Sequence, residues 1–174
     1  MQMEVLFSEE EIREKVQEIA QRIASDYKGK ELNLVVVMMG AMVFCSDLMR
    51  AISSYGGSRL TLGIVKAKSY VGQESRGNVL IDIGFDCKGK NILIVEDIAD
   101  TGSTLSQLKE EMLARGAREV KTCSLLDKPS RRRTGIQIDY LGFTIPDLFV
   151  VGYGLDLDGM HRELPYIAVI TPEK

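Results

Sequence analysis

The chain of 174 residues is poor in the residue types that build metal and disulfide scaffolds: it has one histidine, His161, and three widely spaced cysteines, Cys45, Cys87 and Cys123, with no CxxC pair. That scarcity argues against a zinc site or a disulfide framework. Cys45 and Cys123 read instead as small core residues and Cys87 as a turn residue. Basic charge is not in excess either, since 22 Lys and Arg against 25 Asp and Glu leave a formal charge of -3 and a pI near 5.3. No global basic face is available to displace the counterions of a nucleic acid, although a small anion needs only a local cluster. No apolar run reaches the ~18 residues of a membrane span. The acidic start, MQMEVLFSEEE, lacks the basic end and apolar core of a signal peptide. Repeats and low-complexity tracts are missing, and 45% hydrophobic with 27% charged residues is an ordinary globular balance. We expect one cytoplasmic domain over residues 1–174, without membrane or nucleic-acid partners, its single core burying roughly 70% of the unfolded surface.

What is present is an alternation of strand and helix signals. Ser8 with Glu11 forms a capping box, and Ile12, Val16, Ile19, Ala20 and Ile23 share one helical stripe that stops near Gly29. Leu32 to Met39 is apolar but for Asn33 and rich in valine, as a strand covered on both faces would be, and Gly40 separates it from a helical pattern through Phe44, Leu48 and Ile52. Arg59 to Lys68 predicts a strand and Val79 to Phe85 its hairpin partner. The polar segment Ser69 to Asn78 between them, at about ten residues, exceeds the ordinary hairpin range of ~2–5. Asn91 to Val95 predicts a buried strand, Thr104 to Arg115 a helix closed by Gly116, and Val120 to Leu126 another strand. This order implies an α/β fold with a largely parallel, twisted sheet flanked by helices. Phe149 to Gly154 and Tyr166 to Ile170 read as short strands forming a small hood over the sheet, and Arg131, Arg132 and Arg133 as a solvated surface run.

The densest chemistry lies in NILIVEDIADTGSTL, Asn91 to Leu105. Ligands of open parallel sheets bind beyond the carboxyl ends of the strands. There, Ala99 to Thr104 offers backbone N–H groups, a glycine, the hydroxyls of Thr101, Ser103 and Thr104, and the positive end of a helix, a set suited to one phosphate monoester. GxxxxGK[ST] and GxGxxG are both absent. The acids Glu96, Asp97 and Asp100 would repel a lone phosphate. If the phosphate belongs to a sugar, they are free to accept hydrogen bonds from ribose hydroxyls or to hold Mg²⁺.

VEDIADTGSTL resembles the phosphoribosyl pyrophosphate (PRPP) signature of type I phosphoribosyltransferases. The ordered segments VVVMMGAMVFCSDLMR, KSY, LLDKPSRR and PDLFVVGYGLDLDGMHRELPYI resemble the hypoxanthine-guanine phosphoribosyltransferases, across about residues 10–170. The resemblance implies transfer of the 5-phosphoribosyl group from PRPP to hypoxanthine or guanine, giving IMP or GMP and pyrophosphate, by a homodimer or homotetramer using Mg²⁺. It assigns Asp100 as the base near purine N7, where the bland alternative is a helix N-cap. Lys128 is assigned to the purine O6, Phe149 to stacking on the base and the Val150 backbone to its edge. Thr101, Gly102, Ser103 and Thr104 are assigned to the phosphate, and Glu96, Asp97 and Asp156 to the ribose and metal region. Met39 and Gly40 form a loop holding pyrophosphate through backbone amides, with a non-proline cis bond admitted there, and Arg162 faces the same group. Ser69 and Tyr70 begin a lid that closes over the reacting centre.

Two departures stand out: many relatives carry Lys where Met39 stands, and DGMH, Asp158 to His161, replaces a segment that often holds an aromatic residue. A transferase favouring xanthine and a regulator binding PRPP without turnover remain as rivals. The joint presence of Asp100, Lys128 and Arg162 speaks against the second.

Overall fold

The computed structural model describes residues 2–69 and 79–171. Five strands run parallel: β2 (Glu31–Met38), β3 (Arg59–Ser69), β5 (Asn91–Ala99), β6 (Glu119–Asp127) and β7 (Tyr140–Thr144). With β4 (Val79–Ile83) antiparallel at one edge, they form a sheet in the order β4-β3-β2-β5-β6-β7. Along β2 and β5 the apolar residues alternate between two cores, as a period of two demands. Leu34, Val36, Leu93 and Val95 face α1 (Glu9–Asp26) and α2 (Met42–Tyr55), while Val35, Val37, Ile92 and Ile94 face α3 (Ser103–Ala114). That two-sided burial explains why these strands read as nearly unbroken apolar runs.

Each helix follows its sequence signals. Ser8 Oγ accepts from the Glu11 N–H at 3.2 Å and the Glu11 carboxylate accepts from the Ser8 N–H at 2.8 Å, so the capping box of α1 is complete. The stripe from Ile12 to Ile23 is buried. In α2, Phe44, Leu48 and Ile52 are buried, and in α3, Leu105, Leu108 and Met112.

A second sheet, antiparallel and three-stranded in the order β1-β9-β8, joins β1 (Gln2–Phe7), β9 (Ile167–Thr171) and β8 (Val150–Val151). This is the expected hood, with one strand from the N-terminus that the sequence reading missed. Gln2 to Val5 are exposed, so β1 carries little of the burial pattern by which strands are recognised, and it is held mainly by pairing with β9. β7 was also missed, being five residues long and largely half-buried. β8 is shorter than expected because Gly152 and Gly154 take left-handed backbone (φ 97° and 99°), which no strand continues through. β5 is longer than expected and runs on to Ala99, because Glu96, Ile98 and Ala99 still pair with Ser124, Leu126 and Asp127 of β6. Cys87 is buried like Cys45 and Cys123, and all three thiols are free.

Candidate active site

The direction in which successive parallel strands are added reverses between β2 and β5: β3 lies to one side of β2, and β6 and β7 lie beyond β5. A crevice at the carboxyl ends of two such strands is where open α/β sheets bind ligands. β2 leaves the sheet through a cis peptide bond between Met38 and Met39. Gly40 then lies so close to Asp97 at the end of β5 that a Cβ there would overlap the Asp97 carboxylate. The Gly40 carbonyl in turn packs against Gly154. Three segments distant in sequence are thereby locked together at one edge.

Glu96 and Asp97 occupy adjacent positions in β5. Glu96 is buried, and its burial together with the neighbouring Asp97 charge pushes its carboxyl well above the ordinary glutamate value of 4.5. Asp97 is half-buried and accepts from the Ile98 N–H at 2.7 Å, while its own N–H donates to Glu96 Oε1 at 3.3 Å. The folded chain therefore keeps a proton on Glu96 where the unfolded chain has lost it. That group's contribution to stability is full below the unfolded value near 4.5 and is lost as pH rises toward the folded one. Glu96→Gln removes the penalty, so its melting temperature is expected to gain on wild type by at least about 2 °C between about pH 5 and about pH 8. Differential scanning calorimetry at the two pH values checks this, and a pH-independent difference contradicts it.

Past Ala99 the chain turns through Asp100, Thr101 and Gly102. Gly102 is the N-cap of α3 in left-handed conformation (φ 81°) and supplies no side chain to the helix end. Asp100 is therefore not the cap. Thr134, Ile136 and Arg132 crowd the place a Gly102 Cβ would take, so only glycine fits. The Thr101 hydroxyl donates to Ser103 Oγ at 3.1 Å and accepts from the Ser103 N–H at 3.3 Å. Glu96, Asp100, Thr101, Gly102 and Thr104 help line a recess of about 60 Å³. That is a few times the room one water needs and far below the ~300 Å³ of a whole-ligand pocket, a size suited to one phosphate group.

The arginine run is exposed at Arg131 and Arg133, as the sequence suggested, and half-buried at Arg132, but it is not free of partners. A 3-10 turn, Pro129–Arg131, folds it back onto the β5–α3 loop. Arg131 donates through Nε to Asp100 at 2.7 Å and through Nη1 to Asp147 at 3.2 Å. Arg132 pairs with Asp127 and donates to the carbonyls of Ala99 and Ile136, and the Arg133 N–H donates to the Thr101 carbonyl at 2.9 Å. The available hint was charge balance, because each cation follows a strand end near an acid. Lys128, at the end of β6, is buried, its N–H bonded to the Ala99 carbonyl and its ammonium 3.6 Å from Asp147. Phe149, expected to stack on the base, is 52% exposed, while Val150 is buried in β8.

On the far side, Asp156 pairs with Arg162 at 2.7 Å and accepts from the Gly159 N–H at 2.7 Å. Arg162 also donates to the Gly154 carbonyl at 2.6 Å. The unusual DGMH segment is a tight hairpin, with Leu157 and Met160 exchanging backbone hydrogen bonds and positive φ at Asp158 (53°) and Gly159 (83°). Asp-Gly is the pair such a turn favours. Among the described residues no group of three acids, cysteines or histidines is placed to hold a metal. Glu96 and Asp97 stand together, and Asp156 stands with Arg162. Ser69 ends β3, paired with Val79. Tyr70 and the rest of the expected lid through Asn78 lie outside the described residues.

A parallel sheet carrying a phosphate-sized recess and paired acids at its switch point defines a sugar-phosphate-handling α/β protein. Residues 4–158 match the model of the phosphoribosyl transferase domain family. The chain is 40% identical over 173 residues to hypoxanthine-guanine phosphoribosyltransferase of Staphylococcus aureus, covering 98% of this chain and 94% of that one. It is 41% identical over 172 residues to the bifunctional protein TilS/HprT of Listeria innocua, and spans 26% of that longer protein's length. A crystal structure of a hypoxanthine-guanine phosphoribosyltransferase from Bacillus anthracis superposes with a TM-score of 0.90 at 41% identity, covering 97% of this chain and 98% of that one. The chain belongs to the phosphoribosyl transferase family, on its hypoxanthine-guanine phosphoribosyltransferase branch.

Proposed function

We propose that the protein transfers the 5-phosphoribosyl group of PRPP to hypoxanthine or guanine, releasing pyrophosphate and forming IMP or GMP. One observation carries the reading: a phosphate-sized recess has Asp100 on its rim, and Asp100 is joined through Arg131 and Asp147 to the buried Lys128.

The 5-phosphate sits at the first turn of α3 among the hydroxyls of Thr101, Ser103 and Thr104, where unpaired amides and the helix dipole favour an anion. Glu96 and Asp97 take the ribose hydroxyls. The purine stacks on Phe149, its edge on the Val150 backbone and its O6 on Lys128. As the purine N9 bonds to C1′ of the ribose, the bond from C1′ to pyrophosphate breaks and the N7 proton passes to Asp100. The backbone amides at Met39 and Gly40, with Arg162, take the charge that grows on pyrophosphate. Because that contact is made by main chain, the Met39 side chain, itself 56% exposed, need not be lysine. Ser69 and Tyr70 help exclude water from the reacting centre.

The acids also fit Mg²⁺, an ion that takes one or two carboxylates and completes its shell with water and substrate phosphates. The proton that Glu96 retains beside Asp97 marks a place where a cation is favoured, and Asp156 would join once Arg162 turns to pyrophosphate. Bound there, the ion offsets leaving-group charge.

Met42, Leu62 and Ile64 are exposed apolar residues lining a recess of about 300 Å³ between α2 and β3. Such a face supports assembly as a homodimer or homotetramer. Among the described residues no helix is long and apolar enough to cross a membrane, which suits a cytoplasmic enzyme.

A spectrophotometric assay with PRPP and Mg²⁺ against hypoxanthine, guanine, xanthine and adenine tests the reading. Turnover of the first two, lost on chelating the metal, is the expected result. PRPP binding with no turnover of any base would make the protein a PRPP-responsive regulator.

A further inference from the structure

Asp100 and Lys128, the groups assigned to N7 and O6 of the purine, are joined by a chain of alternating charges. Lys128 Nζ lies 3.6 Å from Asp147 Oδ1, Arg131 Nη1 donates to Asp147 Oδ2 at 3.2 Å, and Arg131 Nε donates to Asp100 Oδ1 at 2.7 Å. Asp147 thus divides its two oxygens between two cations, and Arg131 divides its guanidinium between two acids. Arg131, followed by Lys128, holds the Asp147 carboxyl below the usual carboxylate range. The neighbouring Arg132 is committed to Asp127 and to two carbonyls, so it cannot replace Arg131 on Asp100.

Arg131 Nε occupies Asp100 Oδ1 at 2.7 Å, so that oxygen is closed to the N7 hydrogen while the pair is made. The guanidinium must move aside before this oxygen can face the purine. We propose that Asp147 and Arg131 form a relay that keeps Asp100 capped until a 6-oxo group on the purine draws Lys128 away. Once the lysine ammonium turns to O6, Asp147 Oδ1 is released and can receive Arg131 as a two-pronged partner, a geometry guanidinium and carboxylate favour. The guanidinium then leaves Asp100 without losing a carboxylate contact. A 6-aminopurine presents donors at that position, cannot attract the ammonium, and leaves Asp100 capped. Discrimination between 6-oxo and 6-amino bases then acts on turnover as well as on binding. Asp147 and Arg131 are positioning residues in this scheme, and the inference rests on the purine-transfer reading above.

The test compares wild type, Asp147→Asn, Arg131→Gln and the double variant, with kcat and KM for hypoxanthine measured at saturating PRPP. Asp147→Asn leaves Arg131 without its alternative acid, so kcat is expected to fall about tenfold. Arg131→Gln uncaps Asp100 permanently. Added to Asp147→Asn, it is expected to restore kcat to within about threefold of wild type, a suppression that two merely structural losses would not produce. Additive losses, or no loss in Asp147→Asn, overturn the relay while leaving the transfer reading intact. A wild-type protein inactive on hypoxanthine overturns both.

Discussion

Asp100→Asn is expected to lower hypoxanthine turnover by about 10²–10⁴-fold, the usual contribution of a positioned base, while PRPP affinity stays nearly constant. The substitution keeps size and shape, and its amide oxygen can still accept from Arg131, which now reaches Asp100 at 2.7 Å. What it removes is the capacity to carry the N7 proton. The recess that would take the PRPP phosphate is built from the Thr101–Thr104 turn and the β5 end, so binding has no reason to fall with turnover. Single-turnover kinetics beside calorimetric PRPP titration separates the two. Wild-type turnover in the variant would remove Asp100 from the role of base.

Gly40→Ala is expected to cost about 10²-fold in kcat/KM for PRPP, the scale at which a displacement of ~1 Å in a positioning element is felt. The new methyl group would occupy the space of the Asp97 carboxylate, which must turn aside. Asp97 is tethered to the Ile98 N–H at 2.7 Å, and on the other side the Gly40 carbonyl already abuts Gly154, which itself has φ 99°. The loop or the acid must shift, and both are assigned to PRPP. Since Gly40 follows a strand end and not the core, the melting temperature should change little. Unaltered kcat/KM for PRPP would mean that the loop and Asp97 do not act together.

How far the site could be read from sequence depended on how local each signal was. Asp100 to Thr104 form one turn between a strand and a helix, so residue order alone placed them together, and the structure returns all but Ser103 as lining of one recess. Glu96 and Asp97 were legible as acids but were placed in a loop. Their position inside β5 comes from pairing with β6, which local sequence does not encode. Phe149 was assigned to the purine by resemblance, where periodicity alone would bury it, and it is open because β8 begins only at Val150. Arg131, Arg132 and Asp147 were passed over, since a run of arginines usually marks a solvated face. Their partners Asp100 and Asp127 come within reach only when β5 and β6 end side by side.

By itself the sequence determined the α/β alternation, the two-faced burial of β2 and β5, the capped first helix and the phosphate loop. Each of these is written in periods of two or about 3.6 residues, or in a single turn, and needs no distant partner. Tertiary structure alone decided the pairing of β1 with β9, the fit of Gly40 between Asp97 and Gly154, and the chain of charges from Lys128 to Asp100. Those contacts join residues far apart in the chain. Their energy depends on distances that exist only once the sheet has brought its strand ends to one edge.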